Sequence, residues 1–144
     1  MRRFDLDVIT GFSGQETIAV ATLIYGGVLH RHPQLDICIS HGGGALGYLF
    51  GRMVKAARKR PWAPQWLRAD GAFESQVKRM WYDSHVHDRR SLELLVERVG
   101  LDRLVFGSNF AGWDQPDGEE VAGAPAELAD NARRLLRITP QAPP

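Results

Sequence analysis

Apolar residues recur along this 144-residue chain in two rhythms, one helical and one strand-like, and the two alternate. From Ser13 to Arg31, the positions Ile18, Ala19, Ala21, Thr22, Tyr25 and Leu29 return at helical intervals, which predicts a helix stopped by Pro33. Ser13 and Glu16 have the spacing of a capping box at its start. Leu35 to Ser40 reads as a short strand. A second helix is expected over Gly44 to Lys59, with Leu46, Leu49, Phe50, Met53 and Ala57 on one face. Residues 61–72, PWAPQWLRADGA, read as a loop, Phe73 to Arg79 as a short helix, and Met80 to Val86 as a strand. Asp88 can cap a third helix whose inward face is Leu92, Leu95, Val96 and Val99, with Gly100 as its stop. Arg103 to Phe106 is a further strand, followed by the loop GSNFAGWDQPDGEE. Pro125 opens a last helix with Leu128, Ala132, Leu135 and Leu136 as its apolar face, and residues 139–144 read as a loose tail.

The order α, β, α, β, α, β, α argues for an α/β fold with parallel strands joined by crossover helices. No internal repeat, low-complexity linker or composition break divides the chain, so residues 1–144 read as one domain. Polar residues gather where strands end: His41 after the first, Asp83, His85 and His87 on or after the second, Ser108 and Asn109 after the third. In parallel α/β folds functional groups collect at that end of the sheet.

Composition narrows the classes. Hydrophobic residues make up 44% and charged residues 24%, as in ordinary soluble domains. A formal net charge of +1 gives no global attraction to nucleic acid or an anionic membrane, so neither is expected as a partner. The basic run Lys55 to Arg60 falls late in a helix, where positive charge suits the dipole and solvent. The single cysteine, Cys38, excludes an internal disulfide and reads as a buried structural thiol in a reducing compartment. The N-terminus MRRFDLDV lacks a signal-peptide core and no apolar run reaches membrane-spanning length, so a cytoplasmic location is expected.

The stretch ICISHGGGALGYLFGR carries candidate chemistry. An HGGG sequence occurs in esterase oxyanion loops, but that needs a GxSxG nucleophile elbow. GFSGQ at Gly11 to Gln15 and FGSNF around Ser108 both miss it. A histidine at a strand end also suits a catalytic or metal site, because the glycines permit a sharp turn and open the next helix with free N–H groups. A structural histidine beside a tight turn fits the same residues, and the pattern alone leaves both open. His85-Val86-His87 on a strand places two imidazoles on one face, which can hold zinc. His30 and His32 sit at a helix end where charge is favourable, and Trp62 and Trp66 suit packing or an interface.

Three segments, GGVLHRHPQLDICISHGGGALGYLFGRM, WYDSHVHDRRSLELLVERVGLDRLVFGSNF and DNARRLLRI, together resemble the metal-dependent amidohydrolases related to aminocarboxymuconate semialdehyde decarboxylase. The resemblance runs from about Gly11 to Ile138. It implies a distorted (β/α)₈ barrel with one divalent metal, commonly zinc, and it makes this chain a partial TIM-like barrel, the last strands and helices. It implies that His41 sits beside a metal-bound water as acid–base or electrostatic support, since a neutral imidazole can move a proton there near neutral pH. Arg52 matches the arginine that grips a substrate carboxylate, in the decarboxylase across a subunit interface; a guanidinium fork suits that shape. Asn109 stands where the family has a metal-binding aspartate. Trp113 and Asp114 follow in the same loop and read as pocket-lining, Trp113 as a substrate contact.

The resemblance places the family's other metal ligands, an H-x-H pair and a further histidine, before the matched segment. Three strands make only the last part of a barrel that normally needs roughly 200 residues or more. The expectation is therefore a fragment or truncated gene product, a homo-oligomer, or a chain that pairs with a missing N-terminal half. The expected activity is metal-dependent hydrolysis or nonoxidative decarboxylation of a small carboxylated compound. The competing expectation is a catalytically incompetent remnant that serves as an oligomerisation or binding module.

Overall fold

A computed structural model describes residues 3–138. Three short parallel strands, β1 (Cys38–Ile39), β2 (Trp81–Asp83) and β3 (Leu104–Val105), pair in that order. Cys38 and Ile39 register with Trp81 and Tyr82; Tyr82 and Asp83 register with Leu104 and Val105. Each strand is shorter than its apolar run. After β2 the Ser84 N–H still donates to the Val105 carbonyl at 2.9 Å, and the chain then turns, as the Val86 N–H donates to the Ser84 carbonyl at 3.0 Å. β1 and β3 each have one unpaired edge among the described residues.

Among the described residues seven α-helices accompany the sheet: α1 (Phe12–Tyr25), α2 (Val28–Arg31), α3 (Leu46–Lys59), α4 (Ala72–Val77), α5 (Arg89–Val99), α6 (Gly118–Ala122) and α7 (Ala126–Leu135). The helix expected over Ser13 to Arg31 is in fact two, because Gly27 at φ +67° takes a left-handed conformation between α1 and α2. The Ser13–Glu16 capping box does not form; α1 begins at Phe12 with no side-chain cap, after a π-helical turn at Asp7–Gly11. The face of α1 also differs from the expected one. Thr17, Val20 and Ile24 are buried, whereas Ile18 is 67% exposed and Ala19 and Thr22 face solvent. This helix is apolar on nearly every side, so its periodicity points nowhere in particular.

The third helix matches its signals. The Asp88 carboxylate accepts the Ser91 N–H at 2.8 Å, and Gly100, at φ +93°, ends α5. The loop expected after Asn109 contains α6, and α7 buries Leu128 and Asn131 while Leu136 is exposed. The tail over residues 139–144 lies outside the described residues. The core gathers Ile24, Leu29, Leu46, Phe50, Phe73 and Tyr82 on one side of the sheet. Alternation turns Trp81 and Asp83 to the opposite face, where the Arg103 and Arg134 guanidiniums lie 5.1 and 5.6 Å from the Trp81 ring centre. Cys38, in register with Trp81, shares that face, and contrary to expectation it is exposed, on a strand that has no second neighbour among the described residues.

Candidate active site and metal centre

The HGGG turn is fixed by contacts that exclude side chains. Gly42, at φ +59°, rests where a Cβ would stand 2.6 Å from Val86 and 2.8 Å from Leu95. At Gly44, φ +64°, a Cβ would stand 2.0 Å from the Ser13 carbonyl oxygen. The turn is thus pressed between α1, β2 and α5. Two polar side chains pin it. The half-buried Asp83 carboxylate accepts the N–H groups of Gly42 and His85, each at 3.1 Å, which joins the ends of β1 and β2. Burial raises Asp83 above the ordinary carboxylate value, and these N–H groups oppose that rise. Thr17 accepts the Ala45 N–H at 2.8 Å and so serves the start of α3.

This packing aims His41 into a cleft of about 580 Å³. His41 Nδ1 lies 2.7 Å from Glu16 Oε1, which also accepts the Ser40 hydroxyl. Glu16 Oε2 is buried and unpaired among the described residues. Nδ1 is thereby engaged, and Nε2 is the ring nitrogen left for a ligand. Glu16 is the one charged residue of α1, a signal the capping reading absorbed.

The opposite wall carries His85, His87, Asn109, Trp113 and Asp114. His85 is buried and its ring centre lies 5.6 Å from that of His41 and 4.1 Å from that of His87. The His85-Val86-His87 segment lies beyond β2, so strand alternation does not bring the rings together; His87 does so by adopting φ +55°. Both Nε2 atoms converge on Asp114 Oδ2, at 3.2 Å from His85 and 2.9 Å from His87. Asn109 donates its amide to Asp114 Oδ1. Desolvation pushes the Asp114 carboxyl up, but the hydrogen bonds from Asn109, His85 and His87 outweigh it and hold the group at about 2.

Of the residues singled out from the sequence, His41, Asn109 and Trp113 line one cleft, and Trp113 is 74% exposed at its rim. Arg52 does not join them; it is exposed on α3, away from this cleft wall. His30 stacks on Trp66 with ring centres 4.4 Å apart, and Trp62 packs edge-on against Tyr25, so these residues serve the fold. No helix among the described residues is long and apolar enough to cross a membrane.

Residues 4–138 match the family model described as Amidohydrolase. The chain is 30% identical over 139 residues to the 2-amino-3-carboxymuconate-6-semialdehyde decarboxylase of Dictyostelium discoideum, covering 96% of this chain and 37% of that protein. It is 27% identical over 97 residues to the 2-keto-4-carboxy-3-hexenedioate hydratase of a Sphingobium species, covering 67% of this chain and 26% of that protein. The apo crystal structure of Metarhizium anisopliae IDCase superposes with a TM-score of 0.71 at 23% identity, over 92% of this chain and 42% of that one. The chain thus spans well under half the length of these relatives, and its three strands and their helices are a partial (β/α)₈ barrel.

Proposed function

The chain belongs to the amidohydrolase family, and from that membership we propose that it acts on a small carboxylated compound as a metal-dependent hydrolase or carboxy-lyase, with His41 as the acid–base group. The observation that carries this reading is the His41–Glu16 pair, 2.7 Å apart at the wall of a cleft formed by three strand ends. In a carboxy-lyase step the bond to the carboxylate carbon breaks, its electron pair stays on the carbon left behind, and the protonated His41 supplies the proton there. In a hydrolytic step neutral His41 takes the proton of the attacking water and returns it to the leaving group. Glu16 positions the ring in both cases. Two of the relatives are named as a decarboxylase and a hydratase of carboxylated compounds, which supports this substrate class.

A divalent metal, zinc in the first place, polarises water or substrate when such a site is filled. At Asn109, the position of the family's metal-binding aspartate, the amide nitrogen donates to Asp114, so a metal there would meet the amide oxygen alone, which brings no negative charge. Arg52 is exposed on α3, which supports a carboxylate grip offered to the cleft of another chain rather than its own.

The test is turnover of a panel of small mono- and dicarboxylates, read as carbon dioxide release and as hydrolysis or hydration. His41→Gln is expected to lower kcat roughly 10²–10⁴-fold. Unchanged turnover in that variant contradicts the reading. The second reading, a binding or oligomerisation module, is favoured by the two open sheet edges. It is the one that stands if the folded chain turns over no member of the panel.

A further inference from the structure

We propose that His85, His87 and Asp114 form a divalent-metal site of this chain, with Asn109 holding the Asp114 carboxylate in place. The donor set differs from the one the family resemblance implies, in which position 109 is itself the carboxylate. Here the carboxylate comes from five residues further along, and the amide at 109 supports it.

Geometry carries the inference. Two imidazole nitrogens point at a single carboxylate oxygen, and the three donor atoms lie within 4.8 Å of one another. A tetrahedral zinc with bonds near 2.0–2.1 Å separates neighbouring donors by about 3.3 Å. The two nitrogen–oxygen separations are 3.2 and 2.9 Å. Both nitrogen–oxygen separations are therefore close to those of neighbouring ligands in such a site. Two histidines and one carboxylate are also the donor number and type of open zinc centres, which keep a fourth position for water or substrate. That position opens on the cleft that His41 lines.

The supporting contact has the form metal sites use. A ligating carboxylate is oriented by a hydrogen bond to its other oxygen, and Asn109 supplies it at Oδ1 while Oδ2 faces the histidines. The backbone is held for the purpose: His87 and Asn109 both adopt positive φ, 55° and 39°, a conformation that costs a non-glycine residue energy and here turns each side chain to Asp114. His85 is buried, so its imidazole is preorganised.

Zinc binding is measured directly on the full chain, by metal content after dialysis and by titration with zinc alone, with cobalt absorption as a reporter of tetrahedral ligation. No substrate is involved, so failure here leaves the His41 reading to its own turnover assay. One equivalent of zinc is expected. His87→Gln and Asp114→Asn, both on the cleft surface, are expected to abolish stoichiometric binding while the thermal melt shows a folded chain. Asn109→Ala is expected to weaken zinc roughly 10–100-fold, and His41→Gln to leave it unchanged. The proposal is overturned if the chain takes up no zinc, if His87→Gln and Asp114→Asn bind as the parent does, or if binding appears only in Asn109→Asp.

Discussion

At the scale of single residues, the cleft depends on side chains that are absent as much as on those that are present. Gly44 has φ +64° and approaches the Ser13 carbonyl so closely that a methyl group has no room. Gly44→Ala is expected to destabilise the fold by more than about 2 kcal/mol, from backbone strain and overpacking together. Gly51, inside α3, meets nothing within 4 Å. Gly51→Ala is therefore expected to stabilise by up to about 1 kcal/mol, through helix propensity alone. Thermal melts of the two variants check both signs. His41, the glycines behind it and the strand-end position were legible in the sequence, since a polar residue before three glycines has few uses. Glu16 was not read as its partner, because a carboxylate three residues after Ser13 also fits a cap. Asp114 was legible as pocket-lining, but its pairing with His85 and His87 needs the left-handed turn at His87, which no local spacing announces.

At the scale of elements, the strands and helices are tied by a few polar contacts across the sheet. Asn131 on α7 donates to the carbonyls of Leu101 and Leu104, at 2.8 and 2.6 Å, and is itself buried. Asn131→Ala removes that donor, and a loss of roughly 1–3 kcal/mol is expected in urea unfolding. The chain just before β1 is tied to the end of α7 by Asp36 and Arg137, 2.9 Å apart. The Arg137 hydrogen bond, against partial desolvation and with help from Trp81, holds Asp36 below 3.8. A depressed folded value means the contribution is present above the unfolded carboxylate value and is lost as pH falls through the folded one. Both groups are largely exposed, so Arg137→Gln is expected to cost roughly 0.2–1 kcal/mol at neutral pH. The difference between parent and variant should vanish in acid; a difference that persists there contradicts the assignment. The order of elements was readable from the alternating rhythms, and α5 with its Asp88 cap emerged as expected. The lengths of the strands were not readable, because an apolar run marks burial, whereas a ladder ends where hydrogen bonding does.

At the scale of the whole molecule, three strands of a barrel present, among the described residues, two open edges and a cleft whose outer wall includes the exposed Phe12, Tyr48 and Trp113. If Arg52 grips a carboxylate in another chain's cleft, Arg52→Gln is expected to raise KM with little change in kcat. Activity should also fall on dilution in step with dissociation seen by sedimentation. Concentration-independent activity from a monomer contradicts that arrangement. In the proposed arrangement the late strand ends of this chain assemble a metal-holding acid–base cleft. The most direct measurement is a crystal of the chain grown with zinc and recorded at the zinc absorption edge. One anomalous peak is expected at bonding distance from His85 Nε2, His87 Nε2 and Asp114 Oδ2, open toward His41. A peak bonded to Asn109 without these three, or no peak in the cleft, contradicts it.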